Sequence, residues 1–136
     1  ELILDGIHVN FAAAQALLRT KGKDKLILIT DSIEAAGLPD GTYKLGNQPV
    51  YVKNGEARLA NGALAGSIAN MNDCVRNAYR HLGLTLNEAV NLASYNPAQS
   101  LHEDLLGEIK VGNYADIIFF DEDIRIQQTM IKGQMK

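Results

Sequence analysis

Three side chains have the type and position to do chemistry: Asp31, at the end of the apolar run Leu26-Ile27-Leu28-Ile29-Thr30-Asp31-Ser32, and Asp5 with His8, just after a second apolar run at residues 2–4. A carboxylate can take a proton from a nucleophile and return it to a leaving group, and an imidazole can hold a polar ligand near neutral pH. The run before Asp31 continues directly into the glycine-bearing turn Ile33-Glu34-Ala35-Ala36-Gly37. Four consecutive aliphatics leave no polar face, the pattern of a strand covered on both sides, as in a parallel sheet flanked by helices. Chemistry collects where such strands end, because the loops carry polar groups and the strands hold them rigidly. An aspartate in that place equally suits an Asx hydrogen bond to the following turn, and the local sequence accommodates both roles.

The elements that must position these residues can be read outward from them. Residues 10–20, rich in alanine and leucine, form a helix with Asn10 as N-cap and Gly22 as stop. Strand, helix and strand make a βαβ unit, normally right-handed, which sets His8 and Asp31 on one edge of the sheet. A lone histidine is more often a satisfied structural group, but a His and an Asp at neighbouring strand ends point toward a site.

Residues 40–60 change texture. Short segments separated by Gly46-Asn47 and Asn54-Gly55 predict a small antiparallel excursion inserted after the central strand, since Asn-Gly between alternating segments favours a hairpin. Its plainest role is to cover one end of the fold. Gly62-Ala63-Leu64-Ala65-Gly66-Ser67 then approaches a helix with apolar positions Ile68, Met71, Val75, Ala78, Tyr79 and Leu82. A glycine-rich approach to a helix N-terminus can face backbone N–H groups toward an anion, a weak signal alone because no lysine follows as in a P-loop. Thr85 with Glu88 matches a capping box, and Asn96-Pro97 reads as N-cap and first helical residue. His81 and His102 fall in this helical region and read as structural or solvated. After Gly107 the pattern turns to strands, at 108–111, 117–120 and 126–131, so a boundary between residues 1–106 and 107–136 is expected there.

The 136 residues are 46% hydrophobic with net charge −3, enough for one ordinary core and without a basic stripe for nucleic acid. Apolar runs fall far short of the roughly 20 residues of a membrane helix, so a soluble cytoplasmic location with no membrane partner is expected. The single cysteine, Cys74, excludes an internal disulfide and lies in an amphipathic helical pattern, where a buried thiol is expected. The opening Glu1-Leu2-Ile3-Leu4-Asp5 enters a strand directly, which suggests part of a longer protein.

Taken together, Asp5-Gly6-Ile7-His8-Val9, Ile29-Thr30-Asp31 with Ala36-Gly37, Leu64-Ala65-Gly66-Ser67, Asn96-Pro97-Ala98, and Gly107-Glu108-Ile109 through Ala115-Asp116 to Phe120-Asp121 resemble the N-acetylglucosamine-6-phosphate deacetylases of the amidohydrolase superfamily. The last motif is common to many amidohydrolases. The Asp-Gly-Ile-His and Leu-Ala-Gly-Ser elements narrow the likeness to the deacetylases. The resemblance implies an α/β fold: the C-terminal part of a (β/α)8 TIM barrel, with residues 2–9 and 26–31 as its last two strands, plus strands of a small β-sandwich domain. It implies Asp31 as the catalytic base and acid acting on metal-bound water. It implies substrate contacts from Asp5, Gly6, Ile7 and His8, with His8 near the sugar phosphate, and from Leu64, Ala65 and Gly66 along the substrate. A divalent metal (zinc or similar) and a homodimer are implied for the full-length protein. The family's metal is held by a glutamate and two histidines from earlier strands. None of that half is present, and a barrel of about 250 residues cannot close from this chain. The 136 residues alone are therefore expected to be inactive, without a tightly bound catalytic metal and with unpaired strand edges that invite association.

Two other functions share these features. A cyclic-amide hydrolase of the dihydroorotase or allantoinase kind would use Asp31 alike without needing a phosphate-binding His8. A non-catalytic sugar-phosphate-binding module would keep the scaffold without the metal.

Overall fold

The expected βαβ unit sits at the centre of the computed structural model, which describes residues 1–136. Strand β1 (Leu2–Ile3) pairs in parallel with β2 (Leu28–Ile29), Leu2 opposite Leu28 and Ile3 opposite Ile29. Helix α1 (Phe11–Lys21) lies between them in sequence. Asn10 caps it by accepting from the Ala12 N–H at 2.9 Å, and Gly22, at φ +82°, ends it by donating to the Leu18 carbonyl.

The apolar run at residues 26–29 is not covered on both sides. Leu2, Leu4, Leu26 and Leu28 are buried, whereas Ile3, Ile27 and Ile29 are only half-buried. The buried set packs on Ala14 of α1 and on Cys74, Val75 and Ala78 of α2 (Met71–His81), with Leu82, Ala89 and Leu92 completing the main core. Helices therefore lie on one face alone, and side-chain alternation leaves the isoleucines on the other.

Residues 41–59 form the expected antiparallel excursion, β3 (Gly41–Leu45), β4 (Gln48–Lys53) and β5 (Glu56–Leu59). Asn54 and Gly55 both have positive φ, which a tight two-residue hairpin turn requires. This sheet does more than cover an end. Val50, Val52 and Ala57 form a separate core with Ala35 and Ala65, so it packs on both the turn after Asp31 and the loop carrying Leu64 to Gly66.

Helix α3 (Leu86–Asn91) carries the predicted capping box, with the Thr85 hydroxyl accepting from the Glu88 N–H and the Glu88 carboxylate accepting from the Thr85 N–H. Helix α4 (Tyr95–Ser100) begins two residues earlier than expected, with Ser94 rather than Asn96 at the N-cap. Asn96 lies inside the first turn. Its side chain is drawn away from capping to donate to the carbonyls of Lys23 and Leu26 at 2.8 and 2.7 Å, mooring the approach to β2.

The chain ends in a second antiparallel sheet, β6 (Ile117–Phe120), β7 (Ile126–Ile131) and β8 (Gln134–Met135). Residues 108–111, expected as a strand, form no strand, and Ile109 and Val111 lie exposed without a pairing partner. The β6–β7 turn docks on α2: Ile124 is buried in the main core, its carbonyl accepts from Asn72, and Asp123 pairs with Arg80 at 2.7 Å. No helix is long and apolar enough to cross a membrane.

Candidate functional site at the ends of the two parallel strands

Strand register puts Asp5 and Asp31 level with each other, each two residues past the last paired position. Asp31 is exposed and holds a left-handed backbone at φ +49°, which costs an L residue of its kind about 1 kcal/mol or more. Its main chain is pinned. The Asp31 carbonyl accepts from the Ser67 N–H at 2.8 Å, and the Ser67 carbonyl accepts from the Ile33 N–H at 2.9 Å. Ser67 is buried; its hydroxyl donates to the Thr30 carbonyl and accepts from the Ala69 N–H. The Asp31 carboxylate makes no hydrogen bond or ion pair within the chain, so the Asx-cap role is not taken up: the turn after it closes by Ala36 N–H donating to Ile33.

The loop bearing Leu64, Ala65 and Gly66 is brought against this carboxylate. Ala65 is buried in the inserted sheet's core and its N–H donates to Ala57, while Leu64 bridges to Arg58. Gly66, at φ +64°, passes so close to Asp31 that a Cβ there would sit 2.7 Å from Ile33 Cγ2 and 3.0 Å from the Asp31 carbonyl. Only glycine lets the loop approach at that distance. The Gly66 N–H has no partner within the chain.

Around β1 the side chain rather than the main chain is held. One Asp5 oxygen accepts from the N–H groups of Ile7 and His8, both at 2.9 Å, and the other meets His8 Nδ1 at 2.8 Å. Burial pushes the Asp5 carboxyl upward, but the bonds from the His8 backbone and ring and the Ile7 backbone together hold it below its ordinary value. The preceding carbonyl, of Leu4, accepts from Asn77 of α2 at 2.8 Å. Gly6, at φ +82°, packs on the Phe11 ring, which in turn stacks on His81 with centroids 4.1 Å apart. His81 is thus structural, as expected, and His102 is exposed.

Ser67 and Asn77 are the residues that sequence reading undervalued. Asn77 had a signal: it is polar beside Cys74 and Ala78, on the buried stripe of α2. Cys74 is buried as expected, and burial raises its thiol above the ordinary value.

A scan of family models matches residues 6–136 to the amidohydrolase family. This chain belongs to that family. It is 43% identical over 136 residues to the N-acetylglucosamine-6-phosphate deacetylase of Lysinibacillus sphaericus, all of this chain against 35% of the relative. It is 41% identical to a protein of Escherichia coli strain K12 named putative N-acetylgalactosamine-6-phosphate deacetylase, 99% of this chain against 81% of the relative. Among solved structures, a mutant N-acetyl-D-glucosamine-6-phosphate deacetylase from Mycobacterium smegmatis in complex with N-acetyl-D-glucosamine-6-phosphate superposes with a TM-score of 0.90 at 35% identity, covering 98% of this chain and 36% of that one. The chain thus spans about a third of the length of two of these and most of the third.

Amidohydrolases are generally metal-dependent. The residues present do not make a metal site: no three His, Cys, Asp or Glu side chains converge, Asp31 is a single carboxylate, and Asp5 and His8 are bonded to each other.

Proposed function

We propose that this chain is the distal portion of an amide hydrolase that removes the acetyl group from N-acetylglucosamine 6-phosphate in amino-sugar catabolism, releasing glucosamine 6-phosphate and acetate. The observation that carries this reading is the Asp31 carboxylate, unpaired at the end of a parallel strand and flanked by the glycine loop at 64–67. In hydrolysis a C–O bond forms as the amide C–N bond breaks, and one proton must travel from the attacking water to the departing nitrogen. An unengaged carboxylate on a pinned backbone suits both transfers, as base and then as acid. Leu64, Ala65 and Gly66 would lie along the substrate, with the Gly66 N–H as a donor toward it. Gly6, Ile7 and His8 would meet its phosphate end.

The half-buried Ile3, Ile27 and Ile29 face suits the interior of a (β/α)8 barrel whose other strands lie outside this chain. On that reading residues 1–106 are the distal barrel, residues 107–136 contribute strands to a small β-domain, the metal ligands come from the remaining strands, and the full-length protein is a homodimer.

The test is hydrolysis by the full-length protein supplied with a divalent metal, read as acetate release from N-acetylglucosamine 6-phosphate and N-acetylgalactosamine 6-phosphate and, in parallel, as ring opening of dihydroorotate and allantoin. Turnover of the first supports the proposal, and the second sugar phosphate measures its selectivity at C4. Hydrolysis of the cyclic amides alone, or of nothing, overturns it. The 136-residue chain by itself is expected to release no acetate.

A further inference from the structure

Two peptide planes flank the Asp31 Cα, and a single residue holds both. The plane before it carries the Thr30 carbonyl, which accepts from the Ser67 hydroxyl, and the plane after it carries the Asp31 carbonyl, which accepts from the Ser67 N–H at 2.8 Å. A residue has only two soft dihedral angles, and they set how these two planes turn about its Cα. Ser67 therefore fixes φ and ψ of Asp31 together. A left-handed aspartate is ordinarily helped by a local bond from its own side chain. The Asp31 carboxylate makes none, so its φ of +49° is imposed from outside. Ser67 is anchored in turn. It is buried, its carbonyl accepts from the Ile33 N–H at 2.9 Å, its hydroxyl accepts from the Ala69 N–H at 3.2 Å, and the Ser32 hydroxyl donates to the Ala69 carbonyl at 2.8 Å. With the backbone so held, Asp31 Oδ2 lies 3.9 Å from the point where a Gly66 Cβ would stand, facing the glycine loop.

We propose that Ser67 is a positioning residue: its hydroxyl, by turning the Thr30–Asp31 peptide, imposes the left-handed backbone that aims the Asp31 carboxylate along the loop at 64–66. The single hydroxyl proton is committed to Thr30 and the side chain is buried, so Ser67 acts through Asp31 and not on a ligand. The backbone claim is independent of the reaction, and only its consequence for acetate release rests on the deacetylase reading above.

The informative variants of the full-length protein are Ser67→Ala, which removes the hydroxyl, and Ser67→Cys, which keeps the space filled with a weak donor. Crystal structures should show Asp31 out of the left-handed region, with its carboxylate turned from Gly66. An Asp31 still near φ +49° in either variant overturns the proposal. In solution, Asp31→Gly reads the same backbone, because glycine relieves a left-handed position and only loosens an ordinary one. Its effect on the urea midpoint should be more favourable in the wild type than in Ser67→Ala, and equal effects overturn the proposal.

In kinetics, each Ser67 variant should lower kcat by about ten- to a hundredfold from a misaimed carboxylate. KM should change little, because the loop at 64–66 has moorings of its own, the Ala65 N–H on the Ala57 carbonyl and Leu64 bridged to Arg58. In an Asp31→Asn background Ser67→Ala should add nothing. A loss confined to KM, or a further fall in kcat once the Asp31 carboxylate is gone, overturns the positioning role. If no acetylated sugar phosphate is turned over, the deacetylase reading fails separately, and the crystal and urea measurements decide the inference.

Discussion

At the end of β1 the Asp5 carboxylate accepts three hydrogen bonds from Ile7 and His8, whereas at the end of β2 the Asp31 carboxylate accepts none and the main chain around it is held instead. The residue type is the same, and register makes the two positions equivalent. What differs is the partner supplied. The Asp5 turn is closed by its own next residues, so its carboxylate is satisfied locally. The Asp31 turn is closed from outside by Ser67, 36 positions along the chain, so the backbone needs nothing from the Asp31 side chain. A carboxylate relieved of structural duty is one that can bind and release a proton without loosening the fold.

The sharpest break of this comparison exchanges each aspartate for asparagine in the full-length enzyme. Asp31→Asn should lower kcat for acetate release by roughly a thousandfold or more with the fold retained by circular dichroism, the scale of losing a group that handles two proton transfers. Asp5→Asn should keep most of kcat. Equal losses at the two sites would erase the distinction.

Next in size is Gly66→Ala. The added methyl would meet Ile33 and the Asp31 carbonyl at 2.7 and 3.0 Å on a backbone at φ +64°, and must displace the loop or Asp31. We expect about 2–4 kcal/mol of lost stability and a fall in kcat of about a hundredfold from a misplaced base. Thermal melting and single-turnover kinetics measure the two parts.

Asn77→Ala acts on the Asp5 side alone. It leaves the buried Leu4 carbonyl without its partner, so unfolding in urea should show a loss of about 1–3 kcal/mol. Any kinetic cost should appear in KM with Asp5 and His8, and a selective fall in kcat would mean that the two strand ends are coupled.

The smallest effect is on acid stability. Asp5 is held below 3.8 and Glu88, bonded to Lys23 and to Thr85, is lowered from 4.5 to about 2. A carboxyl with a depressed folded value contributes stability that is fully present above its unfolded value and is lost as pH falls through the folded one. The folded protein should therefore weaken from about pH 4.5 toward pH 2, and Asp5→Asn and Glu88→Gln should each make that decline shallower. The Glu88 side chain is 27% exposed against 10% for Asp5, so the share of Glu88 should shrink more in high salt, whereas that of Asp5 should persist.

Much of the local architecture was legible because it rests on neighbours in sequence. The Asn10 cap, the Gly22 stop, the Thr85 and Glu88 capping box and the Asn54-Gly55 turn each depend on residues a few positions apart, and each formed as read. The readings that failed involve distant partners. Asn96 looked like a cap until the carbonyls of Lys23 and Leu26 claimed its amide, and residues 108–111 have strand-like composition but no strand to pair with.

By itself the sequence determined the parallel pair and the edge on which Asp5, His8 and Asp31 gather, because a βαβ unit has one normal handedness and strand ends follow from where apolar runs stop. It could not say which aspartate was free. That was decided only when the inserted sheet carried Gly66 and Ser67 back against Asp31, since the state of a carboxylate depends on every donor within reach and the decisive donors here lie more than thirty residues away in the chain.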